Sequence, residues 1–338
     1  IRVLIKYNRR LLEFQGLQNQ DSGGSDNQSQ NKDDEFDARD AEIIELDSFN
    51  INPLKNEDSL TKKTKAIMLI NALGNCCDLF KIKKKDYIAI ENKFSVTEDK
   101  ILGGRITILQ PKKGYRVAID PILMAACVPA RKGDKILEIG AGSGAATLCL
   151  AIRVPDAQLV GVELQSELFD LAKAAVAINR LDGRVKMVNT DLLDCPNDKV
   201  KDGEFDHVMA NPPYLKKGTA IASPNPQIER AHIESKAILS DWISFAIRKL
   251  RKGGTVTLIH RYDRKDEIVS ELSKFTGDLA LFPLLPKKGA SLKRIIIQAV
   301  KGVEGAIRIS SGLILHEQSG KFTKEAISIL KDGQELVI

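Results

Sequence analysis

The chain has 338 residues, of which 43% are hydrophobic, and carries a formal net charge of +6. That length can bury a core for one large domain or two, and that charge favours a polyanionic partner without specifying one. No stretch approaches the roughly eighteen consecutive apolar residues that span a bilayer, and the first residues do not form a secretory signal pattern. We therefore expect a cytoplasmic protein without a membrane partner.

The cysteines and histidines give no indication of a metal centre. Only Cys76 and Cys77, of five cysteines, are close in sequence, and the four histidines are dispersed. Neither residue type shows the spacing of a zinc site, so we expect no metal.

Residues 1–94 differ in composition from the rest of the chain. Residues 15–40 are rich in Gln, Asn, Ser, Gly and Asp and nearly lack large apolar side chains, so they cannot offset the entropy of ordering. Lysines gather at 62–65 and 81–85 around a predicted short helix over 65–79. We expect a largely disordered extension over 1–94, either a solvated charged segment or a nucleic-acid arm, followed by a folded domain over 95–338.

The folded part begins with two predicted turns and a helix. Residues 101–104 indicate a turn that leads into a strand over 106–109, and residues 111–114 indicate a second turn. Asp120 is predicted to cap a helix that has Pro121 in its first position and ends before Pro129.

From Lys135 onward, strands alternate with helices, which predicts a mostly parallel, seven-stranded sheet with helices on both faces. The predicted strands cover 135–139, 158–163, 185–189, 205–210, 255–260, 279–285 and 293–300. The predicted helices cover 145–153, 166–179, 240–250 and 266–275. One more edge strand over 306–315 and a helix over 323–330 complete the chain.

Polar residues and glycines follow the first three of these strands. Gly140, Gly142 and Gly144 form a turn where a ligand can approach bare backbone and place an anionic group at a helix N-terminus. Glu163 ends the second strand, where its carboxylate can accept hydrogen bonds from ribose hydroxyls. Asp191 follows the third strand and either receives the amino group of a bound adenine or caps the next turn. These residues predict a nucleoside-binding site, and the glycines alone would also suit a dinucleotide.

The fourth strand ends in Asn211-Pro212-Pro213-Tyr214. Two prolines cannot continue the strand, so the Asn211 side chain is held at its carboxyl end. The Asn211 side-chain oxygen and the Pro212 carbonyl can accept hydrogen bonds from a planar amine, which returns its delocalised lone pair to nitrogen, and Tyr214 can stack on the attached ring. Each acceptor is expected to lower the barrier by roughly 2–4 kcal/mol. The pattern therefore predicts a corner that binds and activates a planar amine, although an isolated Asn-Pro-Pro more often only closes a loop.

At this point the chain resembles the Rossmann-like class I S-adenosylmethionine-dependent methyltransferases that carry Asn-Pro-Pro-Tyr. It is most similar to the bacterial valine-tRNA adenine-N6 methyltransferase family. The similarity rests on Leu102-Gly-Gly-Arg-Ile-Thr-Ile-Leu-Gln-Pro, Arg116-Val-Ala-Ile-Asp120-Pro-Ile-Leu, Ile139-Gly-Ala-Gly-Ser-Gly144 and Val162-Glu-Leu. Ile119 departs from the pattern, because many relatives have Thr there.

The resemblance implies methyl transfer from S-adenosylmethionine to the N6 amine of an adenine in RNA, with tRNA next to the anticodon as the expected substrate. The sequence does not establish an oligomeric state, and we favour a monomer. The resemblance also implies that Gly140, Gly142, Glu163 and Asp191 hold the cofactor, with Arg116 and Asp120 covering its methionine end. The candidates for RNA contacts are basic residues in predicted loops near the tip: Lys216, Lys217, Arg230, His232, Lys287, Lys288, Lys293 and Arg294.

Three alternatives share parts of this pattern. A glutamine-N5 protein methyltransferase also uses an Asn-Pro-Pro-Tyr tip on a planar amide, but its usual helical N-terminal domain is not evident. Guanine-N2 methylation of ribosomal RNA is a second alternative. A non-catalytic RNA-binding protein is the third, and an intact Asn211 argues against it.

Overall fold

A nine-stranded sheet organises the part of the chain that the computed structural model describes, which is residues 96–113, 116–214 and 236–338. The predictions made for residues 1–94, both the disorder and the short helix, lie outside these described residues.

A separate two-stranded sheet precedes the main one. β1 (Val96–Ile101) pairs antiparallel with β2 (Ile106–Pro111) across the turn at 102–104. The sequence predicted β2 but not β1, because β1 is mostly polar and none of its residues is fully buried. Asn179 attaches this small sheet to the domain: its side-chain oxygen accepts from the Thr107 amide at 3.0 Å, and its amide nitrogen donates to the Thr107 carbonyl at 2.7 Å.

Five neighbouring strands of the main sheet run parallel. They are β3 (Lys135–Ile139), β4 (Gln158–Glu163), β5 (Val185–Asn189), β6 (Phe205–Ala210) and β7 (Leu250–Arg261). β8 (Thr276–Leu285) and β9 (Arg294–Lys301) follow, and β9 lies antiparallel between β7 and β8. The strand order is therefore β5-β4-β3-β6-β7-β9-β8, which confirms the mostly parallel sheet.

Seven strands and one further edge strand over 306–315 were predicted, so the count was low by one. Residues 306–315 form two short strands, β10 (Arg308–Ile309) and β11 (Leu313–Ile314), and both pair parallel with β8. Gly312 separates them with φ +76°, and a Cβ there would lie 2.1 Å from the Pro283 carbonyl oxygen. A glycine is needed at this position because the chain turns while pressed against β8.

Helices cover both faces of the sheet. They are α1 (Asp120–Cys127), α2 (Ala145–Arg153), α3 (Ser166–Ile178), α4 (Leu239–Lys249), α5 (Lys265–Leu272) and α6 (Lys324–Leu330). Of the two larger apolar cores, one contains buried side chains of α1, α2 and α6, and the other contains those of α4 and α5.

Successive side chains of a buried strand point to opposite faces of the sheet, so each strand contributes to both of these cores. In β3, Ile136 joins the core beside α1 and α2, whereas Leu137 joins the core beside α4 and α5. In β6, Met209 and Val208 divide in the same way. Each such buried side chain stabilises the fold by roughly 1.5–3 kcal/mol, and the parallel strands direct their carboxyl ends to one edge. Among the described residues, no helix has the length and apolar character to cross a membrane.

Candidate active site

A cavity of about 340 Å³ lies at the carboxyl edge of the sheet. The structure brings ten of the predicted site residues into its lining: Arg116, Asp120, Gly140, Gly142, Glu163, Asp191, Asn211, Pro212, Tyr214 and Arg294. Gly144 lies outside that lining, at the start of α2. Lys216, Lys217, Arg230 and His232 fall outside the described residues, so their assignment to RNA contacts stays a prediction.

The glycine turn after β3 has positive φ at all three glycines. A Cβ at Gly140 would lie 2.6 Å from a ring carbon of Trp242, so that position is closed by packing. A Cβ at Gly142 would meet no atom of the described residues within 4 Å, so that backbone faces open space at the cavity. Gly144 is the left-handed residue that begins α2. The turn thus offers a ligand exposed backbone at Gly142.

Glu163 is a buried carboxylate held by two backbone amides. The Gly142 amide donates to Oε2 and the Gln165 amide donates to Oε1, both at 2.8 Å. Burial raises the pKa of this carboxyl, and the amides oppose that rise. Each oxygen retains a further acceptor site, as the binding of paired ribose hydroxyls requires.

Asp191 takes one of its two predicted roles, the cap of the following turn. Its Oδ1 accepts from the Leu193 amide at 2.9 Å and caps the 3₁₀ turn Leu192–Asp194. Asp191 also lines the cavity, as does the partly buried Leu192. The cap fixes the carboxylate and leaves its contact with an adenine amino group as a prediction.

Glu138 was missed by the sequence analysis although it also lines the cavity. Only 3% of it is exposed, and its Oε2 accepts from the Thr147 amide at 2.8 Å and from the Thr147 hydroxyl. Burial raises the pKa of Glu138 to about 8, so this carboxyl is mostly protonated at neutral pH. An acid between Leu137 and Ile139 in the buried part of β3, two residues before Gly140, was the available signal.

The Asn-Pro-Pro-Tyr tip presents an unused acceptor. Asn211 follows β6 directly, and its Oδ1 is buried, with no hydrogen-bond partner among the described residues. A buried amide oxygen without a partner costs about 1–3 kcal/mol, which a ligand that donates to it would restore. Asn211 and Pro212 both line the cavity, so the acceptor belongs to the same space as Glu163.

Asp120 does not cap α1 as the sequence predicted. The helix begins at Asp120 itself, with Ile119 in the N-cap position, and the Asp120 carboxylate turns to the tip instead. Its Oδ2 accepts from the Tyr214 hydroxyl at 2.7 Å and from Arg294 Nε at 2.9 Å. A long-range partner therefore outcompeted the local backbone amides.

Two further lining or supporting residues were also missed. Trp242, the only tryptophan, packs on Gly140, and no described residue accepts from its buried indole N–H. His260 Nε2 lies 3.2 Å from the Pro213 carbonyl oxygen. Burial lowers the pKa of His260 to about 4, so the neutral ring donates to that carbonyl and supports the tip. Neither residue belongs to a local motif that would have marked it.

The donors and acceptors of this cavity fit a charged nucleoside such as S-adenosylmethionine. Glu163 would hold the ribose, open backbone at Gly142 admits the nucleoside, and Asn211 Oδ1 lies in the same cavity to meet a second reactant. Among the described residues, no group of three or more His, Cys, Asp or Glu side chains is arranged to hold a metal ion.

The model of one protein family covers this region. Residues 118–280 match the methyltransferase small domain, which includes the glycine turn, Glu163 and the tip. The model of the DegT/DnrJ/EryC1/StrS aminotransferase family matches residues 43–100, nearly all of which lie outside the described residues.

Similar proteins share both sequence and fold with the chain. The tRNA1(Val) (adenine(37)-N6)-methyltransferase of Pasteurella multocida is 24% identical over 64% of this chain and 89% of its own length. The protein of the same name from Bacteroides thetaiotaomicron is 27% identical over 60% of this chain and 84% of its own. A crystal structure described as a predicted O-methyltransferase from Agrobacterium tumefaciens matches with a TM-score of 0.54 at 24% identity, over 65% of this chain and 99% of that one. That structural likeness establishes a shared methyltransferase fold.

Proposed function

We propose that this chain, an S-adenosylmethionine-dependent methyltransferase built on a methyltransferase small domain, methylates the N6 amine of an adenine in tRNA. The adenine proposed is the one next to the anticodon, the position in the names of the similar bacterial enzymes. The observation that carries the proposal is the buried, unpartnered Asn211 Oδ1 in the cavity that also contains Glu163. A cytoplasmic location, as predicted from the sequence, agrees with a tRNA substrate.

The site residues divide the work of such a transfer. When bound, S-adenosylmethionine supplies a methyl group activated by its sulfonium charge. Asn211 Oδ1 and the Pro212 carbonyl accept the two hydrogens of the adenine amine, which concentrates the lone pair on nitrogen. A strong base is not required, because the nitrogen becomes acidic once it has been alkylated. The protein contributes orientation and exclusion of water, together with hydrogen bonds aimed at the amine.

An adenine inside a stacked RNA loop must leave its stack to reach Asn211. Extrusion costs a few kcal/mol, and an aromatic ring beside the acceptor can replace the lost stacking. Tyr214 lies in the cavity lining three residues after Asn211 and is the ring proposed for this role.

Basic residues at the same edge of the sheet support a polyanionic substrate. In the antiparallel pairing of β7 with β9, Arg261 at the end of β7 lies opposite Arg294 at the start of β9. The β8–β9 loop, which precedes Arg294, therefore lies at the carboxyl edge of the sheet. Lys288 and Lys293 in that loop are exposed. Binding through such lysines is expected to weaken as salt increases.

The proposal is tested by offering the 338-residue chain a panel of methyl acceptors. Purified protein and labelled S-adenosylmethionine are incubated separately with total tRNA, ribosomal RNA and a release factor. We expect label in tRNA and recovery of N6-methyladenosine by nucleoside mass spectrometry. Label only in protein, or only in guanine of ribosomal RNA, would reject the proposal.

A variant of Glu163 tests the proposed cofactor site separately from the methyl acceptor. Glu163→Gln should weaken cofactor binding, because the amide is uncharged and one of its two head atoms is a donor instead of an acceptor. The fluorescence of Trp242, the only tryptophan, reports on the cavity it lines and can follow that binding. Unchanged cofactor affinity in this variant would contradict the assignment of Glu163.

A further inference from the structure

Three residues from distant parts of the chain meet beside the proposed amine site. Asp120 opens α1, Tyr214 ends the Asn-Pro-Pro-Tyr tip, and Arg294 opens β9. Asp120 Oδ2 accepts from the Tyr214 hydroxyl at 2.7 Å and from Arg294 Nε at 2.9 Å. Both bonds involve a charged partner, which makes them stronger than neutral hydrogen bonds.

The same contacts fix the plane of the Tyr214 ring. The Arg294 guanidinium carbon lies 4.4 Å from the ring centroid, and the His260 ring meets Tyr214 edge to face at 5.1 Å. His260 Nε2 also lies 3.2 Å from the carbonyl of Pro213, the residue before Tyr214. Contacts therefore fix Tyr214 at three places: its hydroxyl bonds to Asp120, Arg294 covers one face of its ring, and His260 contacts the preceding carbonyl.

Arg294 belongs to this arrangement and is only a third exposed. Burial is the largest single influence and lowers the pKa of the Arg294 guanidinium, but the hydrogen bonds and charges of Asp120 and Tyr214 together outweigh it, so the pKa of Arg294 is raised. The charge of Asp120 is thereby balanced inside the protein. The sequence assigned Asp120 to the cofactor and Arg294 to RNA, and it did not predict that the two side chains pair with each other.

Asp120 also ends the segment that the resemblance placed over the cofactor. Arg116, Val117 and Ala118 line the cavity, and Arg116 is anchored by Asp99 Oδ2 at 2.7 Å. The segment is thus tied at one end to β1 and at the other, through Asp120, to the ring beside Asn211.

We propose that Asp120 is a positioning residue for the base, which acts by holding the Tyr214 ring in its stacking orientation, with Arg294 balancing its charge. This inference rests on the proposed methylation of an RNA adenine and assigns Asp120 to the base side of the site. A ring already fixed before RNA binds loses less freedom when a base stacks on it.

A double-mutant cycle with Asp120→Ala and Tyr214→Phe tests the inference. Tyr214→Phe keeps the ring and removes the hydroxyl. Each single variant loses a hydrogen bond to a charged group and should lower kcat/KM for tRNA by about tenfold or more. The double variant should lose about as much as Asp120→Ala alone and less than the product of the two single losses, because both variants remove the Asp120–Tyr214 hydrogen bond and Asp120→Ala also removes the bond to Arg294. Asp120→Asn, which retains an acceptor, should recover part of the loss.

Cofactor affinity distinguishes positioning of the base from binding of the cofactor. Calorimetry with S-adenosylhomocysteine should give dissociation constants within about twofold of the wild type for all these variants. Asp263→Ala is the matched control, since it removes a carboxylate that pairs with exposed Arg261 at the same edge, and kcat/KM should stay within about twofold. Multiplicative losses in the double variant, or a tenfold weaker affinity in Asp120→Ala, would overturn the inference.

A double-mutant cycle on the free energy of unfolding, measured without RNA or cofactor, separates this inference from the proposed function. If the wild type produces no N6-methyladenosine in tRNA, the proposed function fails and the base-positioning role fails with it. Urea unfolding of the same four proteins then still measures the bond itself. Non-additive losses of stability would show that the Asp120–Tyr214 contact exists without that substrate, and additive losses would show that the contact is absent as well.

Discussion

Replacing Gly140 by alanine tests how closely the glycine turn and Trp242 are packed. An added Cβ would lie 2.6 and 2.9 Å from two carbons of the Trp242 six-membered ring, and Gly140 has φ +71°. The left-handed backbone costs an alanine about 1–2 kcal/mol, and overpacking adds about 1–3 kcal/mol. We expect Gly140→Ala to lose about 2–5 kcal/mol of unfolding free energy, a large share of the 5–15 kcal/mol typical of a domain.

Gly142→Ala is the matched control. Gly142 also has positive φ, +57°, but its added Cβ meets no described atom within 4 Å. It should therefore show the backbone cost alone, about 1–2 kcal/mol. Thermal unfolding without cofactor would measure the difference, at roughly 2–4 °C per kcal/mol for a domain of this size. The emission of Trp242 should shift in Gly140→Ala only.

A second-site change shows whether Trp242 is the cause. Trp242→Phe removes the distal ring carbons that the new Cβ would strike, so it should restore part of the stability of Gly140→Ala. Equal losses in Gly140→Ala and Gly142→Ala, or a further loss when Trp242→Phe is added to Gly140→Ala, would refute the reasoning.

Two further predictions concern buried titratable groups. Glu138 keeps its proton up to about pH 8 in the fold, whereas the unfolded chain releases it near 4.5, so wild-type stability should fall as pH rises through that window. Glu138→Gln mimics the protonated acid and does not titrate. Its free energy of unfolding in urea, relative to that of the wild type, should therefore rise by roughly 3–5 kcal/mol between pH 4.5 and 8. Parallel pH profiles of the variant and the wild type would contradict this. His260 stays neutral in the fold down to about pH 4, whereas the unfolded ring takes up a proton near 6.5. Stability should therefore fall by about 3 kcal/mol as pH drops through that window, and a His260→Gln variant that falls equally would exclude His260 as the cause.

Much of the site was predictable because its residues follow consecutive strands. The glycine turn, Glu163, Asp191 and Asn211 each end one parallel strand, and such ends converge on one edge of a sheet. Local pattern was therefore sufficient to place them in one cavity.

The side chains that support the tip were not predictable in the same way. Asp120 and Arg294 are separated by 174 residues, and their contact depends on β9 returning antiparallel beside β7. An aspartate before a proline at a helix start indicates a cap, and only the fold shows that a tyrosine hydroxyl lies closer. Trp242 was missed for a related reason, since its partner is a glycine that has no side chain to mark the contact.

The most direct test of the account is the rate of methyl transfer by Asn211→Ala at saturating cofactor and tRNA. The account predicts a rate about 10²–10³-fold below that of the wild type, because one acceptor for the amine is lost, with cofactor affinity largely intact. A variant that methylates adenine at the wild-type rate would contradict the claim that Asn211 Oδ1 activates the amine.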